Sequence, residues 1–340
     1  MSHSERMAQH AQPTQRRKAL SIWGLAEAFC VLLLTATLAG FLARGWWVFE
    51  LTTHFRPHLA VILSAGAIVW GARRRWRWAA FCAVGAVLNV AVVLPHCWPG
   101  NAVPATDGVP LKVVLLNVNT ANTRSDSVLQ FLREADADIV LLLEVDQRWL
   151  RELEPFMTTY PNQSVQARDD NFGIALFSRK SWKSAKILNL GEAEVPSIVA
   201  DIELGETTVH LLATHPLPPG SAEYARLRDE QFKRIAEHAR KQSEPVVVIG
   251  DLNATPWSPR FVDLLTESAL EDASKGRSIQ GSWPAWLPLG RIPIDHCLVS
   301  SGVGVVSKEI GSRVGSDHLP VIVTITLPAT NVPAVAVGVK

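Results

Sequence analysis

Val246-Val247-Val248-Ile249-Gly250-Asp251-Leu252-Asn253-Ala254 is the stretch on which the reading of this chain turns. Four consecutive β-branched residues bounded by a glycine read as a short buried strand. The run then ends in a carboxylate, with a carboxamide two residues on, hence on the same face of the extended chain. A carboxylate closing a fully apolar strand is uncommon, because burying an unpaired charge is costly.

The same pattern recurs outward from that stretch. Leu115-Leu116-Asn117-Val118-Asn119 places two carboxamides two residues apart. Ile139 to Leu143 ends in Glu144, and Val209 to Ala213 ends in Thr214-His215. Pro293-Ile294-Asp295-His296 opens a further strand, and Gly315-Ser316-Asp317-His318 opens the last. Any one of these reads as a turn residue beside a strand. Together they point to a hard-cation site with oxygen ligands, plus two histidines for proton transfer or phosphate contact. Further apolar runs at Ile174–Phe177, His296–Val299 and Val321–Ile325 add strands, and amphipathic helices are expected over Ser125 to Glu134 and Glu223 to Arg240. Many strands with interspersed helices imply an α+β layered sandwich.

In their order, LLNVN, IVLLLEV, FGIALFSR, LLATH, VVVIGDLNA, PIDHCLV and GSDHLPV resemble the endonuclease/exonuclease/phosphatase superfamily, which includes pancreatic-type deoxyribonuclease, AP endonucleases, neutral sphingomyelinases and inositol polyphosphate 5-phosphatases. The resemblance covers Leu111 to about Leu327, and GDLNA followed by SDH is its most specific part. It implies a four-layer α/β/β/α sandwich of two mixed sheets with the site at one end. By position, Glu144 matches the metal-binding glutamate, with Asn117, Asn119 and Asp317 in the metal or phosphate site; Asn119 stands where some members carry Asp. His215 matches the histidine of the deoxyribonuclease and sphingomyelinase branches, which argues against AP-site repair. Asp251 and Asn253 match the pair that orients the nucleophile and binds the scissile phosphate, and Asp295 with His318 the acid–imidazole dyad. The implied activity is hydrolysis of a phosphodiester or phosphomonoester by metal-assisted attack of water, with Mg²⁺ (or Mn²⁺) as cofactor. Nucleic acid, a lipid headgroup and a small phosphoester remain open as substrates, and a non-catalytic membrane scaffold is the reading from another class. His210 and His296 read as structural, and Asp169, Asp170 and Asn171 as a solvated loop. Packing is the expected role of Trp257, Trp283 and Trp286.

The N-terminal third is different in character. Residues 1–110 hold ten Lys/Arg against four Asp/Glu, whereas the remainder holds 23 against 28. The mildly acidic remainder has no dense Lys/Arg run of the kind that coats a duplex-binding face. Three apolar stretches, about Ala19 to Ala43, His58 to Ala72 and Trp76 to Pro95, read as a three-pass transmembrane anchor; the second is short for a span. The first is too long for a signal-peptide core and is followed by two more. Arg16, Arg17 and Lys18 precede the first stretch, and Arg73, Arg74, Arg75 and Arg77 separate the second from the third. Placing both clusters in the cytoplasm puts the C-terminal domain outside, periplasmic if the membrane is a bacterial inner membrane. Glu27 is the one charge inside a stretch, read as an interface residue or a helix contact. The expected division is a cytoplasmic tail (1–18), anchor (19–95), linker (96–110), catalytic domain (111–328) and C-terminal tail (329–340), with the lipid bilayer as partner and no obligate protein partner. Four scattered cysteines exclude a disulfide framework, and only Cys97 with Cys297 is a candidate pair.

Overall fold

The computed structural model describes residues 21–328. The basic cluster at Arg16, Arg17 and Lys18, the start of the first stretch at Ala19, and both tails lie outside the described residues. Four helices come first: α1 (Ile22–Ala39), α2 (Trp47–Thr53), α3 (Arg56–Ala72) and α4 (Trp76–Cys97). Ser21 caps α1 by accepting the Trp23 N–H. Ile22–Leu42 and Trp76–Cys97 are each long and apolar enough to cross a membrane. The short α2 and the 17-residue α3 meet that test only together, and they are bent by 62°. The second stretch is therefore a broken span or a re-entrant element, and it begins with a helix that sequence periodicity did not mark.

The anchor helices turn large apolar side chains outward, as lipid-facing helices do, while the contacts among them include polar groups. Asn89 donates to the Thr37 hydroxyl (2.8 Å) and to the Gly85 carbonyl (2.9 Å), and accepts from Arg56 (3.3 Å). Glu27 pairs with Arg75 (2.6 Å), in the turn between α3 and α4, so its charge is compensated at a helix end.

Twelve strands follow, in two six-stranded sheets. The first has the order β11 (Gly304–Ile310), β12 (Val321–Pro328), β1 (Gly108–Asn117), β2 (Ile139–Leu143), β4 (Ile174–Ser178), β3 (Asn162–Gln166). The second has the order β5 (Trp182–Asn189), β6 (Pro196–Leu204), β7 (Thr207–Thr214), β8 (Val246–Asp251), β10 (Asp295–Val299), β9 (Glu271–Asp272). Each sheet has one parallel pair, β1 with β2 and β7 with β8; every other pairing is antiparallel. A parallel pair needs a crossover. Here α5 (Ser125–Ala135) connects β1 to β2, and α7 (Ala222–Arg240) connects β7 to β8.

Alternation assigns the faces. Leu111, Val113 and Leu115 of β1, Val209 and Leu211 of β7, and Val247 and Ile249 of β8 meet in one core between the sheets. The intervening Val114 and Leu116 pack under α5 and α6 (Gln147–Met157), and Leu212 and Val248 under α7 and α8 (Pro259–Ser268). The architecture is thus the expected α/β/β/α sandwich. Most central strands were legible because both faces are buried, but the inner strand β6 was not marked although it is largely buried. The edge strands β3, β5, β9 and β11 were not marked either; an edge strand has no partner on one side.

The stretch 96–110, expected as a linker, is laid against the domain. Helix α4 runs to Cys97, the His96 carbonyl accepts the Gly276 N–H (2.6 Å), Val103 is buried in the inter-sheet core, and β1 already begins at Gly108. All four cysteines are free thiols.

The anchor and the sandwich are joined by a buried ion pair. Glu50 of α2 accepts from Arg228 of α7 (2.6 Å) and from the Ser258 hydroxyl (2.7 Å), and neither Glu50 nor Arg228 is more than 1% exposed. Beside it, His54 meets the Thr255 hydroxyl (3.2 Å), and its carbonyl accepts the Trp257 indole N–H (3.2 Å). Arg228 is also paired with Asp229 (2.6 Å), so Glu50→Ala removes one of its two counter-charges and should destabilise the chain by about 1.5–3 kcal/mol. Thermal unfolding of the full protein in detergent checks this: the double variant Glu50→Leu/Arg228→Met should recover part of the loss, and an unchanged midpoint in Glu50→Ala would exclude the buried pair.

A second buried acid gives a pH test. Asp272 accepts from the Ser274 N–H (2.9 Å) and hydroxyl (2.7 Å), with His296 Nδ1 at 3.5 Å. Burial alone would raise its pKa, but the hydrogen bond and charge of His296 outweigh burial and hold it well below the usual carboxylate range. A depressed folded-state pKa contributes stability that is present above the unfolded value, near 4, and is lost as the pH falls through the folded value. Asp272→Asn should therefore lower the unfolding midpoint at pH 7 by the equivalent of about 2 kcal/mol, with the gap to wild type closing in acid.

Candidate active site

The four parallel-paired strands β1, β2, β7 and β8 all deliver their C-terminal ends to the same end of the sandwich, where the antiparallel β10 begins with Asp295 opposite Asp251. Parity then selects the side chains. Asn117 follows Val113 and Leu115, His215 follows Leu211 and Ala213, and Asp251 follows Val247 and Ile249, on the inter-sheet face. Asp295 shares that face with Cys297 and Val299. The polar cluster is thus the apolar interior continued past its last hydrophobic layer. His296, one residue out of phase, points to the other side, where its ring packs on Phe261 (4.4 Å) and Nε2 meets the Ala254 carbonyl (2.8 Å). His210 is bound to Asp201 (2.7 Å) and His238 (2.8 Å), and both histidines are structural, as expected.

The backbone turns sharply beyond the strands. Asn119, Glu144 and Asn253 all have φ between +50° and +60°. Asparagine tolerates this left-handed conformation, whereas glutamate rarely adopts it, so Glu144 marks strain held in place by its surroundings. Two strand ends use one device: Asn117 Oδ1 accepts the Asn119 N–H (3.0 Å), and Asp251 Oδ1 accepts the Asn253 N–H (3.0 Å). Gly250 is required by close approach, because a Cβ there would lie 1.8 Å from the Thr214 carbonyl oxygen of the neighbouring strand. The loop carrying Asp317 and His318 precedes β12 by a few residues. Ser316 ties it to β1 by donating to the Asn117 carbonyl (2.7 Å) and accepting the His318 N–H (3.0 Å).

A cleft of about 650 Å³ opens here. Glu144, His215, Asp251, Asn253, Asp317 and His318 line it. Asn117, Asn119 and Asp295 stand behind, each bonded to a residue that does: Asn117 donates to Glu144 (2.8 Å), Asn119 to Asp317 (2.6 Å), and Asp295 accepts from His318 Nδ1 (2.9 Å). Asp251 is 3.6 Å from His215 Nε2 and 3.5 Å from His318 Nε2. Trp283 donates its indole N–H to Asp317 (3.0 Å). Asp170 and Asn171, expected in a solvated loop, line the cleft with Phe172, whose ring lies 5.3 Å from that of His215. Asp170 is pinned there by Arg168, and Asn171 accepts from the Thr120 hydroxyl. Trp47, Leu51 and His54 of α2 also line the cleft. No sequence signal links them to it, because the contact joins segments some 200 residues apart.

Charge in the cluster follows from burial and proximity. Burial pushes the Glu144 carboxyl up. Burial and then the neighbouring Asp295 carboxylate push Asp251 up to about 8. For His318 burial acts downward, but Asp295 and Asp251 outweigh it and carry the imidazole up to about 10. His215 is driven down to about 4 by burial and by the positive His318. One imidazole is thus held charged and its neighbour neutral. Four carboxyl groups, those of Glu144, Asp170, Asp251 and Asp317, line the cleft, and no Lys or Arg is among its lining residues. Oxygen donors whose ionisation is opposed by burial and mutual repulsion fit a hard divalent cation, which relieves both. Among the described residues, Asp251, Asp295 and His318 also place ligand atoms within 4.8 Å of one another, though the 2.9 Å bond between Asp295 and His318 reads first as a dyad.

Known proteins share this fold. The family model described as Endonuclease/Exonuclease/phosphatase family matches residues 114–318. An endonuclease/exonuclease/phosphatase from Bacteroides vulgatus superposes with a TM-score of 0.56 at 20% identity, over 65% of this chain and 100% of its own. The D. rerio TDP2 in complex with a single-strand DNA product gives 0.55 at 15% identity, over 64% and 99%. The catalytic domain of human Nocturnin with bound sulfate gives 0.54 at 18% identity, over 64% and 95%. No curated protein matches the chain. The match from β1 to the SDH loop, on a sandwich of this topology, places the chain in the endonuclease/exonuclease/phosphatase family, whose members are hydrolases acting on phosphoester bonds.

Proposed function

We propose that this chain is a membrane-anchored, divalent-cation-dependent phosphoesterase whose reaction centre is the cleft around Asp251 and His318. The observation that carries the reading is the cluster itself: Asp295 holds His318 at 2.9 Å, and the far nitrogen of His318 and that of His215 converge on Asp251 at 3.5 and 3.6 Å. Asp251 aims an attacking water and, in its ionised form, takes its proton. His318, kept protonated and oriented by Asp295, donates to a phosphate oxygen on which negative charge grows. His215, neutral beside it, is available to accept a proton or to contact the phosphate, while the protonated His318 is the group able to give a proton to the leaving alcohol. Asn253, its amide anchored on the Pro216 carbonyl (3.0 Å), presents the rest of its carboxamide to the phosphate. Glu144 and Asp317 are the cleft-facing candidates for the cation, and Asn117 and Asn119 act by orienting them. When bound, Mg²⁺ or Mn²⁺ would supply a Lewis acid at a non-bridging phosphate oxygen.

Two or three membrane-crossing helices support an anchor. The arginines between α3 and α4 support placing that turn in the cytoplasm and the sandwich outside, in the periplasm if the membrane is a bacterial inner membrane. The domain limits proposed are 19–95 for the anchor and 111–328 for the catalytic unit. Nucleic acid remains the second reading for substrate, because the D. rerio TDP2 relative of the same fold is described with a DNA product.

Hydrolysis of bis(p-nitrophenyl) phosphate by the full protein in detergent is the test. Activity should vanish in EDTA and return with Mg²⁺ or Mn²⁺, and His318→Ala or Asp251→Ala should each lower kcat by about 10²–10⁴-fold. Asn117→Ala should instead weaken the apparent metal affinity, by about 10–100-fold. No turnover with either metal would favour the non-catalytic scaffold. A reporter fused after Lys340 that works only in the cytoplasm should be silent; activity there would reverse the proposed orientation.

A further inference from the structure

We infer that the cleft takes a phosphodiester lipid from the bilayer in which the anchor sits, with helix α2 and the apolar loop around Leu289 forming its membrane-side entrance. The inference rests on the phosphoesterase reading above and narrows its substrate class. Its starting point is that one wall of the reaction cleft belongs to the anchor: Trp47, Leu51 and His54 line it together with Glu144, Asp251 and His318. Helix α2 is bent 62° from α3 and held on the sandwich through the buried Glu50–Arg228 pair, so this wall is built in.

A second observation comes from the opposite side of the chain. After Trp283 the loop carries Trp286 (63% exposed), Leu287 (43%) and Leu289 (91%), large apolar side chains turned to the outside. The backbone of Leu289 lies against the ring of His58, in the first turn of α3, and Phe55 just before that helix is also exposed (44%). The loop therefore sits level with the end of a membrane helix, where apolar side chains enter the headgroup region at little cost. The same segment continues inward through Ile292 and Ile294, which line the cleft. One segment thus places apolar side chains both near the start of α3, in Trp286, Leu287 and Leu289, and in the cleft, in Ile292 and Ile294.

The lining chemistry favours a lipid over a polyanion. Apart from its histidines the cleft has no basic side chain, Lys and Arg being absent from its lining residues, whereas proteins that follow a nucleic-acid backbone line the path with them. A single phosphate between a lipid alcohol and a small headgroup alcohol needs only the cation and the polar cluster, and its acyl portion needs apolar walls. The step is a hydrolysis: the water oxygen forms a bond to phosphorus, the bond from phosphorus to one alcohol oxygen breaks, and that oxygen leaves as an alcohol after taking a proton. The second proton of water stays with the resulting phosphomonoester, and no redox partner is required.

The experiment uses the full chain in phosphatidylcholine vesicles with Mg²⁺ or Mn²⁺. The probes are long-chain phosphatidylcholine, phosphatidylethanolamine and phosphatidylglycerol, their soluble dihexanoyl counterparts, a single-stranded DNA oligonucleotide, and bis(p-nitrophenyl) phosphate as the reference diester. At least one long-chain lipid should be cleaved about tenfold faster than its dihexanoyl form, the size expected for added contact with one or two apolar side chains. The exposed double variant Trp286→Ser/Leu289→Ser should reduce that ratio by a similar factor. If the oligonucleotide or a dihexanoyl form is cleaved as fast as any long-chain lipid, or only the reference diester is cleaved, the lipid assignment is overturned while the phosphoesterase reading stands. An unchanged ratio in the double variant overturns the entrance. If the reference diester is not cleaved either, the phosphoesterase reading falls, and the lipid assignment with it.

Discussion

Alternation along a β-strand sends every second side chain to one face, and in this protein both sheets turn that face toward each other. The constraint keeps Val113, Leu115, Leu211, Val247 and Ile249 in one dry layer. It also dictates what happens when the strands run out of core. The next residue in phase on β1, β7 and β8 is Asn117, His215 or Asp251, and it can only emerge at the rim of the same layer. Packing and chemistry are consequently one pattern: the residues that hold the sheets together and those that form the cluster differ only in how far along the strand they lie. A slip of one residue would send the whole set to the helix-covered face, as the out-of-phase His296 illustrates.

Burial at that rim explains the unusual charge distribution. Asp251 and Asp295 lie too deep for water to stabilise them and too close to one another to ionise independently, and each acid of the cluster has a specific polar neighbour. Asp295 has His318, Glu144 has the Asn117 amide, and Asp317 has Asn119 and Trp283. Asp251 is left between two imidazoles and carries the strongest upward push. Residues behind the cleft thus set the state of those that face it, which is how a small set of ordinary side chains becomes a reactive one.

The anchor adds a second constraint. A buried carboxylate–guanidinium pair is a poor source of net stability, but it tolerates little displacement, because separating the partners leaves buried charge poorly compensated. Glu50 and Arg228, the latter also paired with Asp229, therefore act as a register mark between helix α2 and the sandwich. The segment after α4 does the same on another side, through His96 and Val103. The two parts form a single body in which the cleft has walls from both.

Sequence alone determined a good deal of this protein, since its strongest signals are local. Apolar runs ending in acids, amides or imidazoles identified the central strands, their polar ends and the family. Length and composition located the apolar helices. Other local patterns went unread: the edge strands β3, β5, β9 and β11, the inner strand β6, the helices α6 and α8, and the break between α2 and α3. Only the tertiary structure decided which site residues face the cleft and which stand behind it, because that depends on the relative placement of strands far apart in the chain. It alone brought Trp47, Leu51 and His54, and Asp170, Asn171 and Phe172, to the cleft. The physical reason is the same in each case: alternation and hydropathy are carried by neighbouring residues, whereas a cavity is defined by side chains whose proximity is created when the layers close.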